Sequence, residues 1–418
     1  MVTQPELLPD RAVLVHIGPY KTGTTAIQTS LHEHRKELRA HAVTYPGDYH
    51  RQMRPSWALL GRSRVGEPAV PEREWDAMVA EVRAAQGRVV ISSEDFASAR
   101  PHHAQRLVDE LGPDRVHVLI VARRLDKLLP SAWQERVKSV NETRTYDAWL
   151  REVLSVERAS DAARTFWHNH GLKTLVERWR AVLPADRVLV LVNDEEDRRL
   201  QAATFEQLLG LPDGALTPGA LANTSLSMER IELCRQVNLA VEARGWVGSR
   251  TLNTPRRAML TGLRSAPLRD FESRIPALPS WTGPRLVELS DERARTVAGS
   301  GVRVIGDPDL LRYTPDPDAP DLSEPPSVLP TEAAANAIEH ALAGMLRRQE
   351  RQERQGRQER RARPRAVAAS PSPPVDPLTR VTSRAMLREV ARRQRARLRR
   401  GGTSGRTGRG DPRDRSDP

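Results

Sequence analysis

The 418-residue sequence has a single cysteine, Cys234. No intrachain disulfide can form, so the expected setting is reducing and cytoplasmic. Cys234 itself reads as a small core residue. Lysine is also scarce: only Lys21, Lys36, Lys127, Lys138 and Lys173 stand among 66 Lys and Arg. Aromatic residues make up 4% and hydrophobic residues 38%. That is enough for one large core with poorly packed segments around it. No run of 18 uncharged apolar residues occurs, which predicts no membrane span. The N-terminus carries proline and acidic residues without an apolar run and cleavage site, so no secretory signal is expected. His102-His103 lacks a third ligand nearby, and no metal site is expected.

Charge is abundant but uneven. The net charge is +12. Arg347 to Pro418 holds 22 Arg against 8 Asp and Glu, a net +14. The remainder, with 44 basic and 46 acidic side chains, carries −2. The basic character therefore belongs to a tail and says nothing of chemistry in the folded part. Composition predicts a largely disordered tail over 347–418, able to contact an anionic partner or surface. It has no aromatics for base stacking.

Apolar runs at 12–17, 88–92, 116–121 and 187–192 read as buried strands. Helical patterns follow them, near 27–38, 103–111, 126–140 and 203–209. This alternation predicts an α/β fold with a parallel sheet flanked by helices. The expected main domain spans 8–314. A Pro/Asp-rich linker and an amphipathic helix follow over 315–346, with Thr331 as N-cap and Ile338, Leu342 and Met345 on one face. Residues 238–311 mix helical patterns with loops.

Chemistry concentrates in His16-Ile17-Gly18-Pro19-Tyr20-Lys21-Thr22-Gly23-Thr24-Thr25. A loop between a buried strand and a helix N-terminus gathers backbone N–H groups, and the helix dipole adds positive potential. Gly23 permits close approach, Thr24 and Thr25 offer hydroxyl donors, and Lys21 adds a full charge. Phosphate or sulfate suits such a site. The Gly-Lys-Ser/Thr of magnesium-dependent NTPases is missing: Thr24 stands where that lysine would be.

These residues resemble the sulfotransferase family, specifically its bacterial branch with His-Ile-Gly-x-x-Lys-Thr-Gly-Thr-Thr. The resemblance implies a P-loop-like three-layer fold and 3′-phosphoadenylyl sulfate (PAPS) as co-substrate. Lys21 would contact the bridging oxygen, and Thr22, Gly23, Thr24 and Thr25 would hold the 5′-phosphosulfate. Arg123 and Ser131, eight residues apart after the strand at 116–121, match the family's 3′-phosphate pair, with Arg124 as a competing choice. Trp133 to Lys138, and Asn223-Thr224-Ser225-Leu226-Ser227 with Arg235 and Asn238, resemble later family segments. The family's Gly-rich basic closing loop cannot be placed in this sequence.

Sulfuryl transfer to a hydroxyl needs a base. Glu94, after a strand in Ser92-Ser93-Glu94, is one candidate and resembles the branch's Ser-Ser-Glu; His50 is the rival, and Asp95 reads as structural. The expected reaction is sulfuryl transfer to a hydroxyl or amine of a glycan, glycolipid or small metabolite. The alternatives are a small-molecule P-loop kinase, or a non-catalytic binding protein with a basic tail.

Overall fold

The computed structural model describes residues 5–63, 67–139, 142–217, 226–273, 278–317 and 325–362. The chain forms two compact units, Met1–Arg348 and Gln349–Pro418. Most of the second, from 363 on, lies outside the described residues, as does the expectation of disorder there.

The first unit is an α/β structure on a six-stranded, wholly parallel sheet. Its strands are β1 (Val13–Ile17), β2 (Val43–Thr44), β3 (Arg88–Ser92), β4 (Val116–Ala122), β5 (Val188–Val192) and β6 (Arg303–Ile305), in the spatial order β2-β3-β1-β4-β5-β6. Every residue of β1, β4 and β5 is buried. This is why they read as continuous apolar runs: a parallel strand covered on both faces has no polar side to alternate. β2 and β6, with two and three residues, are too short to leave a periodic signal.

Helices α1 (Thr24–Glu33), α2 (Arg35–Ala40) and α10 (Leu200–Leu209) flank the sheet. So do α3 (Met53–Leu60), α4 (Arg73–Ala84), α5 (Pro101–Leu111), α8 (Asp161–His170), α9 (Leu172–Arg180) and α13 (Gly283–Ala298). Val13, Val15, Ile91 and Val190 point into one core with α4, α5 and α9; Leu14, Val90, Leu119 and Leu191 point into the opposite one with α1 and α10. A third cluster packs α6 (Leu125–Lys138), α7 (Tyr146–Leu154), α11 (Met228–Ala243), α12 (Asn253–Ser265) and the start of α14 (Thr331–Ala362), and it holds Cys234. The stretch 238–311 is thus mostly helical.

α14 starts one residue earlier than the expected N-cap implies: Thr331 is its first helical residue, and the Pro330 carbonyl accepts from the Ala334 N–H at 3.0 Å. Its packing face also differs from the expected one. Ile338, Leu342 and Met345 are more than half exposed, while Ala333 and Ala337 are buried. The reason is close backbone approach. A Cβ on Gly262 of α12 would lie 2.4 Å from the Asn336 carbonyl oxygen, and one on Gly344 would lie 2.9 Å from the Ala258 Cβ. Small residues let the two helices meet, and the large ones are left outside.

The chain runs from β1 out to the edge strand β2, returns to β3 beside β1, then crosses to β4 on the other side of β1 and continues outward to β5 and β6. The connections diverge between β1 and β4. At such a point the carboxyl ends of the strands open a crevice where α/β proteins hold ligands.

Candidate active site

The loop Gly18–Gly23 leaves β1 at that crevice. It is tightly wound. A Cβ on Gly18 would fall 1.7 Å from the Thr24 Cγ2, so only glycine fits. Gly23 adopts φ 91° and precedes α1 without any side-chain cap. The first N–H groups of α1 have no intrahelical carbonyl to reach, so they stay available to an external anion. Lys21 has φ 73°, a left-handed conformation that a non-glycine residue enters at a cost of about 1–3 kcal/mol.

Three braces fix the loop from behind. Thr22 Oγ1 donates to the Pro19 carbonyl at 2.8 Å. Gln201 Nε2 on α10 donates to the Thr22 carbonyl at 2.7 Å and to Asn193 Oδ1 at 2.8 Å. Arg123, just past β4, donates Nη1 to the Lys21 carbonyl at 2.6 Å. The Thr22 N–H donates to the same Pro19 carbonyl at 3.2 Å, so both Thr22 donors are spent inside the loop, and the sequence expectation of Thr22 as a donor to an external anion is corrected. Gln201 and Asn193 carry no recognisable pattern in the sequence; only the folded contacts reveal them.

Arg123 also grips Glu195 in a two-pronged pair, at 2.6 and 2.7 Å. Three of its five N–H groups are so used, and two remain. Arg124 is occupied by Asp126. Ser131 is half-buried on the second turn of α6, and its hydroxyl bonds to no other described residue. Arg123 and Ser131 thus flank the start of α6.

Lys21 Nζ meets Glu135 of α6 at 3.3 Å, and Glu135 meets Lys138 Nζ at 3.2 Å. Burial opposes ionisation of Glu135, but Lys138 and Lys21 outweigh it and hold the carboxyl well below its ordinary range. One carboxylate faces two ammonium groups, so the cluster keeps one net positive charge beside the loop.

Glu94 follows β3 and comes to the same place. Its carboxylate accepts from Thr24 Oγ1 at 3.3 Å and lies 3.5 Å from Arg51. Burial pushes its pKa up, against the opposing pull of Arg51. His50 is placed elsewhere: its Nε2 lies 2.8 Å from Thr29 Oγ1, five residues into α1. Burial and the neighbouring His32 lower its pKa. Of the two candidate bases, Glu94 is the one in contact with the first residue of α1. Asp95 is buried, accepts from the Tyr20 hydroxyl and pairs with Arg62 at 2.8 Å. It ties the loop to the segment after β3, a structural part.

A cavity of about 650 Å³ opens beside this cluster, with Tyr20, Glu135 and Lys138 on its wall. Trp57 Nε1, Asn169 Oδ1 and His170 Nδ1, from three other wall residues, are buried without a partner. Asn238 donates to the Val137 and Glu142 carbonyls and Arg235 to the Thr143 carbonyl, bracing the end of α6 from α11. Asn223, Thr224 and Ser225 lie outside the described residues. Among the described residues no group of three or more His, Cys, Asp or Glu could hold a metal ion, and no helix is long and apolar enough to cross a membrane.

No family model and no curated protein matches the chain. Among solved structures it is similar to a sulfotransferase from Alicyclobacillus acidocaldarius, at 19% identity and a TM-score of 0.36, over 57% of this chain and 94% of that one. A likeness that distant carries no argument about activity, which rests on the geometry of the loop.

Proposed function

We propose that this chain transfers a sulfuryl group from PAPS to a hydroxyl or amine of a small-molecule or glycan acceptor. The observation that carries the reading is the uncapped start of α1 behind Gly23, at the divergence of β1 and β4, with Lys21 and the net positive Lys21–Glu135–Lys138 cluster beside it. A donor bearing phosphate and sulfate matches it. Arg123 and Ser131 are proposed for the 3′-phosphate.

In the reaction the acceptor oxygen forms a bond to sulfur. The bond between sulfur and the bridging oxygen breaks, and the electron pair stays on the departing phosphate. Lys21 and the N–H groups of Thr24 and Thr25 stabilise that growing charge. Glu94 takes the acceptor proton; its raised pKa brings it closer to working pH than an ordinary carboxylate. The cavity lined by Tyr20 is the proposed acceptor site.

The test is mass spectrometry of a metabolite and glycan extract incubated with the protein and PAPS. Gain of one sulfuryl group on an acceptor, with release of adenosine 3′,5′-bisphosphate, supports the reading. Phosphoryl gain with Mg·ATP instead makes the chain a kinase.

A further inference from the structure

A second concentration of positive charge lies away from the loop, between α9 and α13. Two cavities of about 770 and 670 Å³ share Lys173, Glu177, Ala181, Glu292 and Thr296, so they form one continuous groove. Arg158, Arg164, Lys173, Arg178, Arg180, Arg293 and Arg295 line it. Arg164 pairs with Asp161 at 2.5 Å; the other six make no ion pair with a carboxylate among the described residues. Elsewhere in the first unit arginines pair readily, as Arg230 does with Glu272 and Arg235 with Glu232. The only acidic residues on the groove wall are Glu177 and Glu292.

Arg293 is the sharpest anomaly. It is buried, its Nη1 and Nη2 donate to the His170 and Arg123 carbonyls, and its Nε has no partner. Arg178 likewise bonds only to neutral groups: the Ala97 and His168 carbonyls and the His168 ring. Carbonyls at the end of α8 satisfy some N–H groups but do not neutralise the charge. Glu292 acts on Arg293 from the groove wall without an ion pair among the described residues; a buried guanidinium so incompletely compensated is costly to keep, and an incoming anion would lower that cost.

We propose that this groove binds a linear oligoanion carrying phosphate or sulfate groups. Lys173 and Arg180 fall on one face of α9, about 10 Å apart at 1.5 Å per residue, with the Glu177 carboxylate between them. That spacing suits a chain whose oxyanion groups straddle Glu177, with Arg295 on the wall from α13. Guanidinium forks match such groups two bonds at a time. Nucleic acid fits poorly. Trp167, the one Trp, Tyr or Phe on the wall among the described residues, is buried and carries the Arg158 guanidinium 4.3 Å from its ring centre, which leaves little ring surface for base stacking. The groove proposal does not depend on the sulfuryl-transfer reading.

The scarcity of lysine makes the test clean. Residues 349–418 contain no lysine, so anion binding to the arginine-rich tail is silent in a lysine-acylation experiment. The full-length protein is treated with an amine-acylating reagent, and each lysine is followed by peptide mass spectrometry. Inorganic tripolyphosphate and a fully sulfated disaccharide are the probes, with sodium chloride at matched ionic strength as the control. At a probe concentration ten times its Kd, acylation of exposed Lys173 should slow by about tenfold, and that of exposed Lys36 should not change. Protection by one probe alone identifies phosphate or sulfate as the source; protection by both identifies the shared charge spacing. Replacing two exposed groove residues, Arg180→Gln with Arg295→Gln, should abolish the protection without lowering Tm. The proposal is overturned if Lys173 reacts equally with and without either probe, or if protection persists in the variant. Protection confined to Lys21, or given only by a glutamate hexapeptide, overturns it as well.

Discussion

Lys21 sits within the loop in a left-handed conformation, and Glu94 reaches the start of α1 from the segment after β3. In the proposed reaction Lys21 acts on charge that develops only as the leaving phosphate departs, so its effect would belong to the transition state. Lys21→Ala should lower turnover by about 10²–10³, the scale of losing one oxyanion donor, as read by steady-state assay. Glu94→Gln keeps shape and removes the base; turnover should fall by roughly 10²–10⁴ with donor affinity unchanged. His50→Ala, acting on a residue bonded to Thr29, should do far less; the reverse ranking would make His50 the base. The pH dependence follows from the same carboxyl. Its folded pKa lies above the unfolded one, so the native state holds the proton more tightly. Stability is therefore lost as pH rises through that window, and at neutral pH Glu94→Gln should raise Tm. The acid limb of the rate profile should sit above the ordinary carboxylate range and vanish in the Gln variant.

The strand–loop–helix unit was legible because both sources of its signal are local: a run of buried apolar residues and two glycines with one backbone solution each. Gly18→Ala should abolish donor binding and lower Tm, since its Cβ has no room against Thr24; calorimetry and a melting curve check both. What stayed hidden in the sequence depends on partners far along the chain. Gln201 lies 179 residues from Thr22, Glu195 lies 72 from Arg123, and Glu135 sits on a helix whose register toward Lys21 only packing decides. α14 shows the converse. Its large apolar residues looked like the packing face, but contact with α12 runs through Ala333, Ala337 and Gly344. Gly262→Val should push these helices apart and lower Tm, while Leu342→Gln on the exposed side should leave the unfolding free energy within about 0.5 kcal/mol of wild type.

For the molecule as a whole, the separation of charge visible in the sequence divides the chemistry from the tail. Truncation after Arg348, where the first compact unit ends, should preserve cooperative melting and donor affinity. A broadened or lost transition would place part of the core's support in the removed segment. The parallel sheet was readable from its buried strands, and the crevice between β1 and β4 follows from their order, which no local pattern could supply. The central claim is that this crevice binds PAPS, and so also its product adenosine 3′,5′-bisphosphate, without metal. Isothermal titration of the full-length protein with adenosine 3′,5′-bisphosphate, in the presence of a chelator, tests it most directly. Saturable one-to-one binding that Gly18→Ala abolishes is the expected result; no binding of the bisphosphate, alongside tight binding of Mg·ATP once the chelator is omitted, would contradict it.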